Sequence, residues 1–209
     1  LYFVYNPCDN LVGDCPPSLY FPRPGVADTR RTYNMYSTRK SGSSWLEPVY
    51  SPYPLNRPEF ESQTGSIRSS ADGNSVYFMQ AAVLPGLNTQ DIWVSKKQPD
   101  GSFSEPYNIS QHLMPGYYNE CRQDRGCNDE DAPTHTADGK TIYFYLLNSP
   151  TRTRGKIYVS TRDDPNCDSC WREAQVLPAP VNTQEHGVTD WHPFISPDGN
   201  RLYFSSDRL

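Results

Sequence analysis

Three side chains in this sequence can carry acid–base or metal chemistry if the fold brings them together: His135, Asp190 and His192. Histidine titrates nearest neutral pH, and a carboxylate beside it can orient the ring or complete a metal site. His135 lies four residues beyond Asp131, and His192 two beyond Asp190. An even offset on a strand puts both groups on one face, so the spacing predicts two His–Asp sets with Asp131 and Asp190 in corresponding places. The same aspartates also fit a structural role. A short carboxylate just ahead of a strand accepts backbone N–H bonds and locks a turn, and its recurrence favours that use. Both are also candidate binding residues if they face a common channel. The densest acidic run is Asn128-Asp129-Glu130-Asp131. Asp129, Glu130 and Asp131 are candidate calcium ligands because calcium takes six to eight oxygens, although the run lacks the EF-hand spacing and equally describes a solvated loop. No other cofactor is implied. The chain has no Gly-x-Ser-x-Gly elbow, phosphate loop or zinc-protease helix motif.

Binding can also rest on aromatics in the irregular stretches: Tyr20, Phe21, Tyr53, Tyr117 and Tyr118. Tyr117-Tyr118 beside Gly116 is the strongest of these, since tyrosine offers a large contact area at low entropic cost. Asn108-Ile109-Ser110 is an N-glycosylation sequon. The six cysteines form three close pairs, Cys8 with Cys15, Cys121 with Cys127, and Cys167 with Cys170. Local pairing in turn-rich insertions predicts three disulfides and an oxidising, extracytoplasmic compartment. Cys167-Asp168-Ser169-Cys170 also matches a redox pair or half a zinc site, but the helix start and the second ligand pair those need are not evident.

Composition narrows the elements that must position these groups. The 209 residues include 20 Pro and 13 Gly, with 15 Tyr against 8 Phe and 4 Trp, and no sustained helical periodicity. That balance predicts an all-β chain of half-buried strands. The net charge is −5, with no basic patch to neutralise phosphates, so nucleic acid is not an expected partner. No apolar run approaches the length of a membrane span.

A repeated unit organises the strands. Ala71-Asp72-Gly73-Asn74-Ser75-Val76-Tyr77-Phe78 is echoed by Ala137-Asp138-Gly139-Lys140-Thr141-Ile142-Tyr143-Phe144 and by Pro197-Asp198-Gly199-Asn200-Arg201-Leu202-Tyr203-Phe204. Asp91-Ile92-Trp93-Val94-Ser95 is likewise matched by Lys156-Ile157-Tyr158-Val159-Ser160. Each unit is a strand end, a tight Asp-Gly turn and an aromatic strand. Repeats of this kind predict a β-propeller built of four-stranded antiparallel blades. About three blade equivalents are present, at 1–58, 59–115 and 116–182, with the start of another at 183–209. Because propellers need roughly four to eight blades to close, the expectation is one arc of a larger ring or an oligomer. Trp45 to Tyr50 is expected to be one strand of the first unit.

The run from Asp190 to Arg208, with Glu130 to Lys140 as a second copy and Gly65 to Phe78 as a divergent third, resembles the TolB-type, WD40-like β-propeller repeat. The resemblance implies periplasmic or secreted scaffolds that bind proteins or glycans, with some propellers attached to hydrolases or lyases. The expected function is a non-catalytic, extracytoplasmic scaffold with a protein partner. The alternatives are a polysaccharide lyase or hydrolase using His135, Asp190 and His192, and a lectin-like glycan-binding module.

Overall fold

All three expected Asp-Gly turns form, and each closes in the same way. Gly73, Gly139 and Gly199 sit at φ 71, 67 and 72°, a left-handed conformation that glycine adopts without a Cβ clash. Their N–H groups donate to the carbonyls of Ser70, Thr136 and Ser196 at 2.9, 2.9 and 2.8 Å. The aspartate carboxylates Asp72, Asp138 and Asp198 then accept from the hydroxyls of those same residues at 2.5, 2.6 and 2.5 Å. They also accept from the N–H groups of Asn74, Lys140 and Asn200 at 3.0, 3.0 and 3.1 Å. These bonds, the hydroxyl's first, hold all three carboxyls below the ordinary value of 3.8. Ser/Thr-x-Asp-Gly is therefore the working turn unit.

The computed structural model describes residues 2–5, 34–56, 64–84, 87–115, 129–147, 155–183, 185 and 187–208. The elements run β1 (Tyr2–Tyr5), β2 (Asn34–Ser37), β3 (Lys40–Ser41), β4 (Ser44–Trp45), β5 (Val49–Tyr50), β6 (Thr64–Ser69), β7 (Ser75–Leu84), β8 (Leu87–Lys96), β9 (Tyr107–Asn108), α1 (Ser110–Leu113), β10 (Asp129–His135), β11 (Thr141–Leu147), β12 (Gly155–Thr161), β13 (Gln175–Val176), β14 (Asp190–Ile195) and β15 (Leu202–Ser206). The all-β expectation holds. The sheets are β1-β2-β5, β3-β4, β6-β7-β8-β9, β10-β11-β12-β13 and β14-β15, and every pairing is antiparallel. Among the described residues, no helix is long and apolar enough to cross a membrane.

One expected strand divides. Trp45 to Tyr50 splits into β4, which pairs with β3, and β5, which pairs with β2. Pro48 lies between them and has no N–H to give to a ladder, so pairing breaks there.

The two faces of β7 pack in opposite directions, one towards the three-stranded sheet and the other towards the second four-stranded sheet. Val76 and Phe78 join Met35, Leu55 and Ile67 in one buried cluster. Tyr77 joins Ile92, Val94, Ile142, Phe144, Leu146 and Trp171 in another. Alternation along one strand thus serves two cores, which is why this strand is apolar on both sides.

A bulge recurs in each inner strand. Register shifts fall between Gly65 and Arg68, between Asp131 and Thr134, and between Trp191 and Phe194. The residues at positive φ within them are Ser66 at 48°, Ala132 at 51° and His192 at 48°. One extra residue in the strand explains both the kink and the unusual backbone.

Candidate functional site

The bulges break the even-offset rule expected to put each histidine on the face of its aspartate, since one separates Asp131 from His135 and the other holds His192. Asp190 pairs with Ser206 and Glu130 with Leu146, whereas Asp131 pairs with Tyr145 and Trp191 with Ser205. Glu130, not Asp131, is therefore the counterpart of Asp190. Counting by twos across a bulge fails because two residues there face one on the partner strand.

Asp190 is wholly buried and bonded all round. It accepts from Lys156 Nζ at 3.1 Å, Thr183 N at 2.9 Å and Ser206 Oγ at 2.7 Å, and it pairs with Arg208. Burial opposes its charge, but the bonds from Arg208, Ser206, Thr183 and Lys156 outweigh that and hold the carboxyl at about 2. Its oxygens have no role left to play for a substrate. Asp190 ties β14, β15, β12 and the preceding loop together.

His192 is exposed and lies in its bulge, edge-on to Tyr145 at 5.4 Å. Its left-handed backbone has equivalents at Ser66 and Ala132, so the strain belongs to the repeat and not to a reacting histidine. Asp131 accepts from the Tyr145 hydroxyl at 3.2 Å and from Ala132 N at 2.5 Å. Burial, followed by the adjoining Asp131 charge, raises the Tyr145 phenol above its ordinary value.

His135 lies against Tyr77, with ring centroids 4.8 Å apart. Its Nδ1 lies 2.9 Å from the Thr136 carbonyl, which makes it the protonated nitrogen, and its buried Nε2 has no hydrogen-bond partner. Burial lowers its pKa from 6.5, and the Arg162 and Arg68 charges lower it further. The ring is thus held neutral. Because the folded value is depressed, protonation favours the unfolded chain, and this histidine's contribution to stability declines as pH falls below 6.5. A ring titration followed by NMR is expected to show a midpoint below 6.5; a midpoint at or above it would contradict a half-buried neutral ring. The three candidates thus have three different sets of neighbours: Asp190 is held by Lys156, Thr183 and Ser206, His192 lies against Tyr145, and His135 lies against Tyr77.

Glu130 shows what happens when the Asp190 arrangement loses its cation. In register, Asp91 of β8 takes the place that Lys156 holds in β12, since Asp91 pairs with Gln80 and Lys156 with Leu146. Glu130 is 3% exposed. Burial first, and the neighbouring Asp91 charge second, push its carboxyl well above 4.5. Below 4.5 the group is protonated in both folded and unfolded chains. Above it the unfolded chain gains by ionising, so stability falls as pH rises towards the folded value. Glu130→Gln is accordingly expected to raise stability at pH 7 by about 1 kcal/mol and to leave it nearly unchanged at pH 4, measured by urea denaturation. Equal effects at both pH values would count against a protonated Glu130. Asp129 accepts from Gln90 N at 3.2 Å. Among the described residues, no three His, Cys, Asp or Glu side chains form a group able to hold a metal ion, so Asp129, Glu130 and Asp131 do not converge as the calcium expectation required.

Two structural devices escaped the sequence. Arg162 is 3% exposed and gives its N–H groups to the Gly139 carbonyl at 2.8 Å, the Cys167 carbonyl at 3.1 Å, Asp168 at 2.9 Å and the Tyr77 hydroxyl at 2.9 Å. It also stacks on Trp171 at 4.2 Å. The second device is a side chain that replaces a missing strand partner: Asn56 Oδ1 accepts from Met35 N at 2.7 Å, Ser110 Oγ from Ile92 N at 2.9 Å and Asn182 Oδ1 from Ile157 N at 2.9 Å. Its only sequence trace is a small polar residue after an aliphatic one, as in Leu55-Asn56, Ile109-Ser110 and Val181-Asn182.

Of the expected disulfides, Cys167–Cys170 is formed. Cys8, Cys15, Cys121, Cys127, Tyr117 and Tyr118 lie outside the described residues. The sequon asparagine Asn108 is 8% exposed, and its side-chain oxygen accepts from Ser110 N at 2.9 Å, so it serves packing. Large apolar side chains remain exposed from the end of β4 through β5 and the chain that follows it, at Trp45, Leu46, Val49, Tyr50 and Tyr53. No known family model and no curated protein matches this chain.

Proposed function

We propose that this chain is an arc of a TolB-type, WD40-like β-propeller that acts without catalysis as an extracytoplasmic scaffold for a protein partner. The observation that carries the proposal is the enclosure of Asp190. The carboxylate best placed for chemistry is wholly buried and satisfied by Lys156, Thr183, Ser206 and Arg208. Of the two histidines offered for catalysis, His135 is half-buried and neutral against Tyr77, and His192 lies in a bulge that recurs in β6, β10 and β14. The propeller assignment is supported by two successive four-stranded antiparallel meanders and a repeated bulge in the first strand of each unit. The Cys167–Cys170 disulfide supports an oxidising compartment. Exposed aromatics in and around β5 offer contact area of the kind protein interfaces use.

Cross-linking with mass spectrometry on the natural protein in its own extracytoplasmic fraction tests this. A recurrent partner linked through Lys40 or Lys97 supports a scaffold. Polysaccharide turnover that disappears in His192→Ala with the fold intact would replace it with an enzyme.

A further inference from the structure

The loop that follows β12 reaches the neighbouring four-stranded sheet through one carboxylate. Asp168 accepts from Arg162 Nη1 at 2.9 Å and pairs at 2.7 Å with Lys96 Nζ, at the end of β8. Lys96 Nζ also donates to the Asn166 carbonyl at 3.0 Å. Arg162 donates to the Cys167 carbonyl at 3.1 Å and to the Tyr77 hydroxyl at 2.9 Å. The consecutive residues Asn166, Cys167 and Asp168 therefore fasten a cation from each sheet. Asp168 itself lies inside the small ring that the Cys167–Cys170 disulfide closes. Pro165 and Asn166 of the same loop line, with Lys96, a surface hollow of about 680 Å3, so whatever holds this loop also sets the shape of that hollow.

We propose that Cys167–Cys170 is a thiol-reversible latch: a dithiol donor opens it, frees Asp168, and loosens the contact between the two four-stranded sheets without unfolding either. Access comes first. Cys170 is exposed and Cys167 half-buried, and the approach of Cys167 Sγ to Ser169 Oγ at 3.6 Å lies at the surface, so a thiolate reaches the pair in the folded chain. Locality comes second. The bonded cysteines have a sequence separation of 3, and closing so short a ring removes little freedom from the unfolded chain, so opening it leaves the strand ladders in place. Third, the side chain inside the ring stands between two cations and is only 17% exposed, where losing its position separates charges partly withdrawn from water. In the exchange, a donor thiolate attacks the Cys170 sulfur, the S–S bond breaks, and Cys167 leaves as a thiolate to which the Ser169 hydroxyl donates. The donor's second thiol then displaces Cys170 from the mixed disulfide. Two electrons and two protons pass from the dithiol to the protein, and the donor departs as a disulfide. In an oxidising compartment the closed form is resident, and the latch answers the arrival of a donor. It does not depend on the protein partner above.

The full chain, treated with dithiothreitol without denaturant, is alkylated and peptide-mapped, and its amide hydrogen exchange is compared with that of the untreated chain. Cys167 and Cys170 are expected to be alkylated while the chain stays folded. Exchange from Arg162 to Arg172, and at Lys96 and Lys97 on the facing sheet, should rise about tenfold, with β14 and β15 unchanged. Cys167→Ser/Cys170→Ser confines the change to this pair and should reproduce the pattern. Asp168→Asn should speed Lys96 and Lys97 about tenfold in the closed chain, and by less than about twofold more in the Cys167→Ser/Cys170→Ser chain. Loss of the fold when this pair alone is opened, unalkylated Cys167 and Cys170 in the folded chain, unchanged exchange at Lys96 and Lys97, or an undiminished effect of Asp168→Asn in the open chain would overturn the proposal.

Discussion

Replacing Asp190 with alanine is expected to destabilise the protein by about 3–5 kcal/mol, the range for breaking a buried ion pair from one side, and to lower its melting temperature by roughly 10 °C. The carboxyl is held at about 2 against an ordinary 3.8, a difference equivalent to about 2 kcal/mol. Removal costs more than that difference, because Lys156 and Arg208 are left with no counter-charge, and Thr183 N and Ser206 Oγ lose an acceptor. Since the folded value is depressed, the contribution is fully present above 3.8 and disappears as pH falls through about 2. Guanidinium denaturation at pH 7 and pH 2 reads both effects. A loss under about 1 kcal/mol at pH 7 would mean that Asp190 does not hold these elements together and would reopen a catalytic role for it.

Arg162 is the second position where a single change should be severe. Arg162→Ala is expected to cost about 3–5 kcal/mol. It removes the donor of the Gly139 carbonyl and the Tyr77 hydroxyl, leaves Asp168 to Lys96 alone and the Cys167 carbonyl to Cys170 N, and uncovers Trp171. Arg162→Lys should restore less than half of the loss, because an ammonium keeps the charge but cannot spread donors in a planar fork over four acceptors. Pairing Arg162→Ala with Tyr77→Phe in a double-mutant cycle should give a coupling of about 1 kcal/mol, since their 2.9 Å bond joins the two four-stranded sheets. Full rescue by lysine, or additive single effects, would show that the fork itself is not what matters.

These two positions differ in how far the sequence announced them. Asp190 stood out as a carboxylate ahead of a repeated strand, and its structural use was among the expectations. Arg162 carried no signal, because Gly139 and Tyr77 lie 23 and 85 residues away along the chain, and Tyr77 reaches it only when the two four-stranded sheets pack. The expected link between Asp131 and Asp190 failed for a different reason: the turns at Asp138 and Asp198 are 60 residues apart, and the same step back from Asp190 leads to Glu130. The bulge, which is a property of two strands in register, instead undid the even offset between each aspartate and its histidine.

The sequence by itself determined the turns and the strand pattern. Ser/Thr-x-Asp-Gly closes through bonds among residues within five positions of one another, so local chemistry suffices, and the aromatic alternation beside each turn settles which segments are strands. Only the tertiary structure decided what the polar residues do. Whether a carboxyl is a locked ion pair like Asp190 or one whose pKa is driven well up like Glu130 turns on whether the facing strand brings Lys156 or Asp91 to it. That choice depends on burial and on charges distant in sequence, which no local pattern encodes.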